Sequence, residues 1–108
     1  MTYPFFVLHR WGKSEKSDNP STLQALLAEL DAAVSDDEHV SVAVRVSDGW
    51  SLSAYVSGLI IFENVEELKL EPRHIRVQTR DEARTLMTLL ISGDMAGLEK
   101  HSWRPGNG

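Results

Sequence analysis

The sequence contains no cysteine, and this absence removes several kinds of chemistry at once. Disulfides, thiolate metal sites and cysteine nucleophiles are all excluded. At 108 residues the chain is still long enough to form one domain around its own hydrophobic core. We therefore expect a single domain over residues 1–108 that is stabilised by packing alone, with residues 104–108 as a flexible tail.

We also expect no targeting segment, and the sequence contains none of the local motifs of common enzymes. The first eight residues form only a short apolar run with no basic segment before it, so we expect no secretory signal, no membrane span and a cytoplasmic location. There is no G-x-S-x-G elbow, no Walker loop and no H-E-x-x-H helix. The four histidines, His9, His39, His74 and His101, lack ligand spacing. We expect a non-enzymatic protein with no metal and no cofactor.

Positive charge is scarce, with 11 basic against 16 acidic residues and a net charge of −5. This balance argues against a nucleic-acid partner, because an acidic protein is repelled by the phosphate backbone. Between Ser17 and Ala43 there is no lysine or arginine, but there are six acidic residues: Asp18, Glu29, Asp31, Asp36, Asp37 and Glu38. We expect a strongly electronegative region that favours a basic partner.

What the sequence does contain is a clear β-hairpin. Alternating valines from Val40 to Val46 are followed by Asp48-Gly49 and by a second alternating run from Trp50 to Val56. A three-residue loop of Ser47, Asp48 and Gly49 pairs Val46 with Trp50 and keeps both apolar sets on one face. It also places Gly49 where the turn requires a positive φ.

A third strand, Leu59 to Val65, follows Ser57-Gly58. We expect a two-residue loop there, so that Val56 and Ala54 continue the buried face opposite Leu59 and Ile61. The same register pairs Tyr55 with Ile60 and Ser53 with Phe62 on the second face of the sheet.

The remaining elements follow from periodicity and capping signals. An aromatic strand from Tyr3 to Trp11 has apolar residues on both alternating sets, which predicts a strand covered on both faces. Capping boxes at Ser21/Gln24 and Thr79/Glu82 predict helices over about 22–34 and from 80 to Gly93. One or two short strands are expected within residues 66–78, and Asp94 begins a last short helix. The order predicts an α+β fold: an antiparallel meander sheet of about five strands with two main helices, plus a short C-terminal helix.

Two groups of residues are candidates for binding. The first is a partner surface made of the acidic residues Asp31, Asp36, Asp37 and Glu38 and the apolar residues Tyr55, Ile60, Phe62 and Trp103. The alternatives are that the chain itself covers the apolar spot and that Trp103 folds back to seal the core.

The second group is an anion site made of His74, Arg76, Arg80 and Arg84, near the start of the second helix. Its alternative is self-neutralisation by Asp81 and Glu82, which lie between the arginines in sequence.

These patterns favour a protein-interaction domain that binds a protein partner or a second copy of itself as a homodimer. A small anion-binding domain or enzyme is the alternative. In its order of elements, ending in a tail tryptophan, the chain resembles some immunity proteins of bacterial toxin systems. That resemblance implies that the negative region neutralises a basic toxin.

Overall fold

The computed structural model describes residues 4–32, 40–67 and 69–108, and in these the chain folds into one antiparallel sheet with helices. The strands are β1 (Phe5–Leu8), β2 (Ser14–Ser17), β3 (Ser41–Arg45), β4 (Trp50–Tyr55), β5 (Leu59–Asn64), β6 (Arg73–Arg76) and β7 (Arg104–Pro105). The helices are α1 (Thr22–Ala28), extended by a 3₁₀ turn at Glu29–Asp31, then α2 (Arg80–Ile91) and α3 (Met95–Glu99). The strand order is β2-β1-β3-β4-β5-β6-β7. The predicted α+β class is confirmed, with seven described strands where about five were expected.

The two strands that were not predicted lie at the two edges of the sheet. β2 (Ser14–Ser17) lies in a segment predicted to be a loop, and it is polar because an edge strand faces water. β7 (Arg104–Pro105) lies in the segment predicted to be a flexible tail, and it pairs with β6. None of the helices in the described ranges has the length and apolar character that crossing a bilayer requires.

The first helix differs from its prediction at both ends. Ser21 makes no side-chain capping bond, so the predicted capping box is wrong, and the side chain of Asn19 instead accepts a hydrogen bond from the Ser21 N–H. The regular α-helix ends at Ala28, and at Ala32 the backbone already has an extended, non-helical conformation. In contrast, the hydroxyl of Thr79 accepts from the Glu82 N–H and a carboxylate oxygen of Asp94 accepts from the Gly97 N–H, which confirms both predicted caps.

The first central hairpin has the predicted register. Val44 pairs with Leu52, and the Val46 N–H donates to the Trp50 carbonyl at 2.9 Å. Gly49 has a φ of +94°. The three-residue glycine loop therefore keeps Val42, Val44, Leu52 and Ala54 together on the buried face.

The second hairpin has a different register from the one predicted. Ala54 pairs with Ile60 and Leu52 pairs with Phe62, one residue away from the expected pairing. The reason is a second three-residue loop, Val56-Ser57-Gly58, in which Gly58 has a φ of +90°. As a result Ile60 and Phe62 lie in the core instead of on the second face, and Val56 is exposed in the turn.

The core lies between one face of the sheet and the helices. Apolar side chains of α1 and α2 pack onto the inward residues of β1, β3, β4 and β5. Phe62 is fully buried, with its ring centroid 4.9 Å from that of Trp50 and 5.0 Å from that of Trp103. These tilted ring contacts are of the favourable aromatic type. The prediction that β1 is covered on both faces is wrong, since Phe6 on its outer side is 43% exposed.

The end of α1 is joined to β1 by two polar residues. Arg10 is only 5% exposed, and its Nη1 donates to the carbonyl oxygens of Glu29 and Ala32. A cation at the carboxyl end of a helix satisfies otherwise unpaired carbonyls. His9 lies beside it, with Nδ1 2.5 Å from a carboxylate oxygen of Glu29 and Nε2 2.7 Å from one of Glu15. These contacts raise the pKa of His9 above 6.5, chiefly through the hydrogen bond to Glu29.

The loop glycine of the second hairpin gives a stability prediction. In Gly58→Ala the new Cβ would lie 2.6 Å from the carbonyl oxygen of Val77, whereas in Gly93→Ala, also at positive φ, it would meet nothing within 4 Å. Both variants carry backbone strain of about 1–2 kcal/mol. We expect Gly58→Ala to lose about 1–3 kcal/mol more of the free energy of unfolding in urea, because of the clash. Equal losses would contradict the account of this turn.

The bridge at His9 gives a pH prediction. Its pKa is higher in the folded than in the unfolded state, so its stabilising effect is complete below the unfolded value of about 6.5 and is lost as the pH rises through the folded value. The stability difference between the wild type and His9→Gln should therefore be larger at about pH 5.5 than at about pH 9. His101→Gln, at an exposed histidine, is the control and should show no such trend. A difference that grows with pH would refute the assignment.

Candidate functional site

The helices of the described chain pack against one face of the sheet and leave the other without helical cover. We call the uncovered side the open face. Strand alternation places on it Ser14 and Lys16 of β2, Phe6 and Leu8 of β1, Ser41, Ala43 and Arg45 of β3, Ser51, Ser53 and Tyr55 of β4, Leu59, Ile61 and Glu63 of β5, His74 and Arg76 of β6, and Arg104 of β7.

Small side chains lie at the centre of the open face. Ala43 pairs with Ser53, and Ser53 pairs with Ile61, so that a row of short residues is flanked by larger apolar ones. Two shallow cavities, of about 360 and 290 Å³, adjoin this row and share Ser53 as a lining residue. The open face is therefore concave in its middle.

Apolar side chains surround this concave centre. Tyr55 and Leu59 are half-buried, Ile61 is 8% exposed, and Phe6 is 43% exposed. Asn107 of the tail lines the same cavity as Leu59, so the tail narrows the face at one side without closing it. Leu59 and Ile61 thus take the places on this face that were predicted for Ile60 and Phe62.

The two sides of the protein carry opposite charge. The open face has four cationic side chains, Lys16, Arg45, Arg76 and Arg104, and one carboxylate, Glu63. The helices and the 3₁₀ turn carry five carboxylates and two arginines. The helical elements therefore carry a net negative charge and the open face a net positive charge, while the chain as a whole has a net charge of −5.

Two carboxylates of the predicted acidic region, those of Glu29 and Asp31, form contacts within the protein. The carboxylate of Glu29 faces His9, and Asp31 accepts a hydrogen bond from Nε of Arg80 at 3.0 Å. The other predicted acidic residues, Asp36, Asp37 and Glu38, lie outside the described residues. Their part in binding stays a prediction.

The four residues of the predicted anion site are divided between two places. His74 and Arg76 line one cavity at the β6 edge, together with Arg104. Arg80 instead bridges Asp31 to the carbonyls of Tyr55 and Val56, at 3.4 and 3.3 Å, so it joins α2 to the turn after β4. Arg84 lies beside Asp81 at 3.7 Å. The self-neutralisation alternative therefore holds for Arg84, which lies beside Asp81, whereas Arg80 is neutralised by the distant Asp31.

Trp103 belongs to the core side of the molecule and not to the open face. Its indole Nε1 donates to the carbonyl oxygen of Leu98 at 2.7 Å, and its ring packs on Phe62. The alternative in which Trp103 folds back to seal the core is confirmed. This anchor also fixes the position of β7, whose Arg104 is the next residue in the chain.

Sequence reasoning missed Leu59, Ile61 and Arg104 as residues of the open face. The first two could have been found by applying to Val56-Ser57-Gly58 the rule used for Ser47-Asp48-Gly49, since both loops end in a glycine. Arg104 had no local signal, because a two-residue strand in a tail has no detectable periodicity.

The described histidines and carboxylates do not form a metal site. Across residues 4–32, 40–67 and 69–108, no three histidine or carboxylate side chains come together in a way that could hold a metal. Comparison of the chain with family models, with curated protein sequences and with solved structures gives no match. A function must therefore be inferred from the shape and the charges of the open face.

Proposed function

We propose that this chain is a non-enzymatic interaction domain that binds a protein partner through the open face of its sheet. The observation that carries the proposal is a seven-stranded sheet with helices on one face and, on the other, a concave centre bordered by Tyr55, Leu59 and Ile61. Apolar patches rimmed by polar side chains are typical of protein interfaces. The helical side, in contrast, already has its apolar residues buried.

The charges of the open face favour a partner that carries negative charge. The four cationic side chains lie around the apolar centre, and Arg45 has a buried Nε without a hydrogen-bond partner among the described residues. An acidic rim on the partner would complement these cations and speed the encounter. Docking the face against a second copy would bring like charges together, so we propose a different protein as the partner rather than a homodimer.

A second candidate function uses the opposite side of the molecule. In its sequence pattern the chain resembles some immunity proteins, and the net charge of −5 suits a basic toxin. In this version the acidic residues Asp36, Asp37 and Glu38 would carry the interaction, together with the acidic helical side. The two candidates thus predict binding through different faces.

The test places one new carboxylate at the centre of the open face. In Ser53→Glu the side chain would fill the concave centre and repel an acidic partner, whereas Thr88→Glu adds the same charge at an exposed position of α2. We expect a lysate protein retained by the immobilised wild type to bind Ser53→Glu at least about tenfold more weakly and Thr88→Glu normally. Circular dichroism checks that both variants fold.

The other outcomes assign the binding to a different face or partner. Equal retention by all three proteins would contradict the open-face proposal. If the triple variant Asp36→Asn, Asp37→Asn, Glu38→Gln loses the partner while Ser53→Glu keeps it, the immunity version is supported, and protection in co-expression with the neighbouring gene product should then be lost too. A wild type that sediments as a dimer beside a monomeric Ser53→Glu would identify the partner as a second copy.

A further inference from the structure

A cleft at the edge of the sheet brings together cationic groups that are distant in sequence. It has a volume of about 400 Å³ and is lined by His74, Ile75, Arg76, Ser102 and Arg104. Its lining residues include two arginines, a histidine and a serine, and none of them is acidic. The volume lies at the lower end of the range of small-molecule sites.

The tail that supplies Arg104 is held firmly against β6. Arg104 pairs directly with His74, and the Gly106 N–H donates to the carbonyl oxygen of Pro72 at 2.8 Å. Nδ1 of His74 donates to the carbonyl oxygen of Gly106 at 3.1 Å, because a carbonyl can only accept. This bond orients the ring and leaves Nε2 as the nitrogen that can contact a ligand.

Among the described residues, the arginines of this cleft differ from their neighbours in having no carboxylate partner. Arg73, Arg80 and Arg84 are each paired with a carboxylate, those of Glu99, Asp31 and Asp81 respectively. Arg76 and Arg104 form no ion pair in the part of the chain that the structure describes. Glu82 lines an adjoining cavity that Arg76 also borders, but it does not line the cleft itself.

Like charges held close together repel each other, and an anion between them removes the repulsion. His74 lies opposite Arg104 in the strand register, and Arg76 lies two residues further along β6. Long side chains on such a diagonal pair of positions can reach the same space. We propose that this cleft binds an oxyanion, the phosphate or carboxylate group of a small molecule, between Arg76 and Arg104. Guanidinium groups form paired, charge-assisted hydrogen bonds with both kinds of anion, and the Ser102 hydroxyl and His74 lie at hand to complete the site.

This binding is local and does not follow from the overall charge. With a net charge of −5 the chain as a whole repels anions, so a saturable site for one needs a built cluster of cations. The proposal concerns the isolated chain and does not depend on a protein partner. Its failure would leave the open-face proposal unaffected.

The test is a titration of the isolated chain with inorganic phosphate and with acetate at low ionic strength, followed by amide chemical shifts. We expect saturable shifts at residues 74–76 and 102–104 with a Kd of about 1 mM or lower for phosphate, and weaker binding of acetate, which has one charge. Arg76→Gln and Arg104→Gln should each weaken phosphate binding about tenfold.

Arg84→Gln is the matched control, because it removes the same charge from an exposed helix position outside the cleft. It should change the Kd for phosphate by less than about twofold. A loss as large as that of Arg76→Gln would show a general electrostatic effect and would overturn the proposal. Shifts that stay linear up to about 20 mM phosphate would overturn it as well.

Discussion

A glycine at positive φ in each of the two central hairpins fixes which side chains the sheet turns inward. Gly49 and Gly58 occupy the same place in two equivalent three-residue loops, with φ values of +94° and +90°. A Cβ at either position would come within 2.6 Å of a neighbouring oxygen, so the space is open only to glycine. Because side chains alternate along a strand, a change of one residue in either loop would reverse the faces of every strand that follows.

The two faces of the protein follow from that register. With Ile60 and Phe62 inward, the sheet presents a continuous apolar side on which α1 and α2 pack. Leu59, Ile61 and Tyr55 are left on the other side, where they surround the small residues at the centre of β3 and β4. The helical elements carry more carboxylates than arginines, and three arginines and a lysine lie on the open face. The protein is thus acidic as a whole and basic on the surface that we propose for binding.

Sequence reasoning succeeded where one alternating set of a strand was polar and failed where both sets were apolar. In β3 the valines alternate with Ser41, Ala43 and Arg45, so only one register buries a continuous apolar face. In β5 the run Leu59-Ile60-Ile61-Phe62 is apolar at every position, so periodicity cannot choose a register and the loop alone decides it. The wrong loop length therefore moved Ile60 and Phe62 to the wrong face.

The binding residues were predictable only where they were close in sequence. His74 and Arg76 stand two apart on one strand, and their pairing at one site could be inferred. Arg104 and Ser102 join them through the tail, which is positioned by the packing of Trp103 on Phe62, a contact between residues 41 positions apart. Arg80 instead forms an ion pair with Asp31, which is 49 residues away in the sequence, and the sequence pattern did not indicate this contact.

Thiol labelling tests the register directly, since the chain has no cysteine of its own. Leu59 is half-buried on the open face and Ile60 is 1% exposed in the core, although the two are adjacent. In native conditions Leu59→Cys should react with a maleimide much faster than Ile60→Cys, which should react only when the chain unfolds. Rapid labelling of Ile60→Cys with protection of Leu59→Cys would contradict the register, and with it the open face.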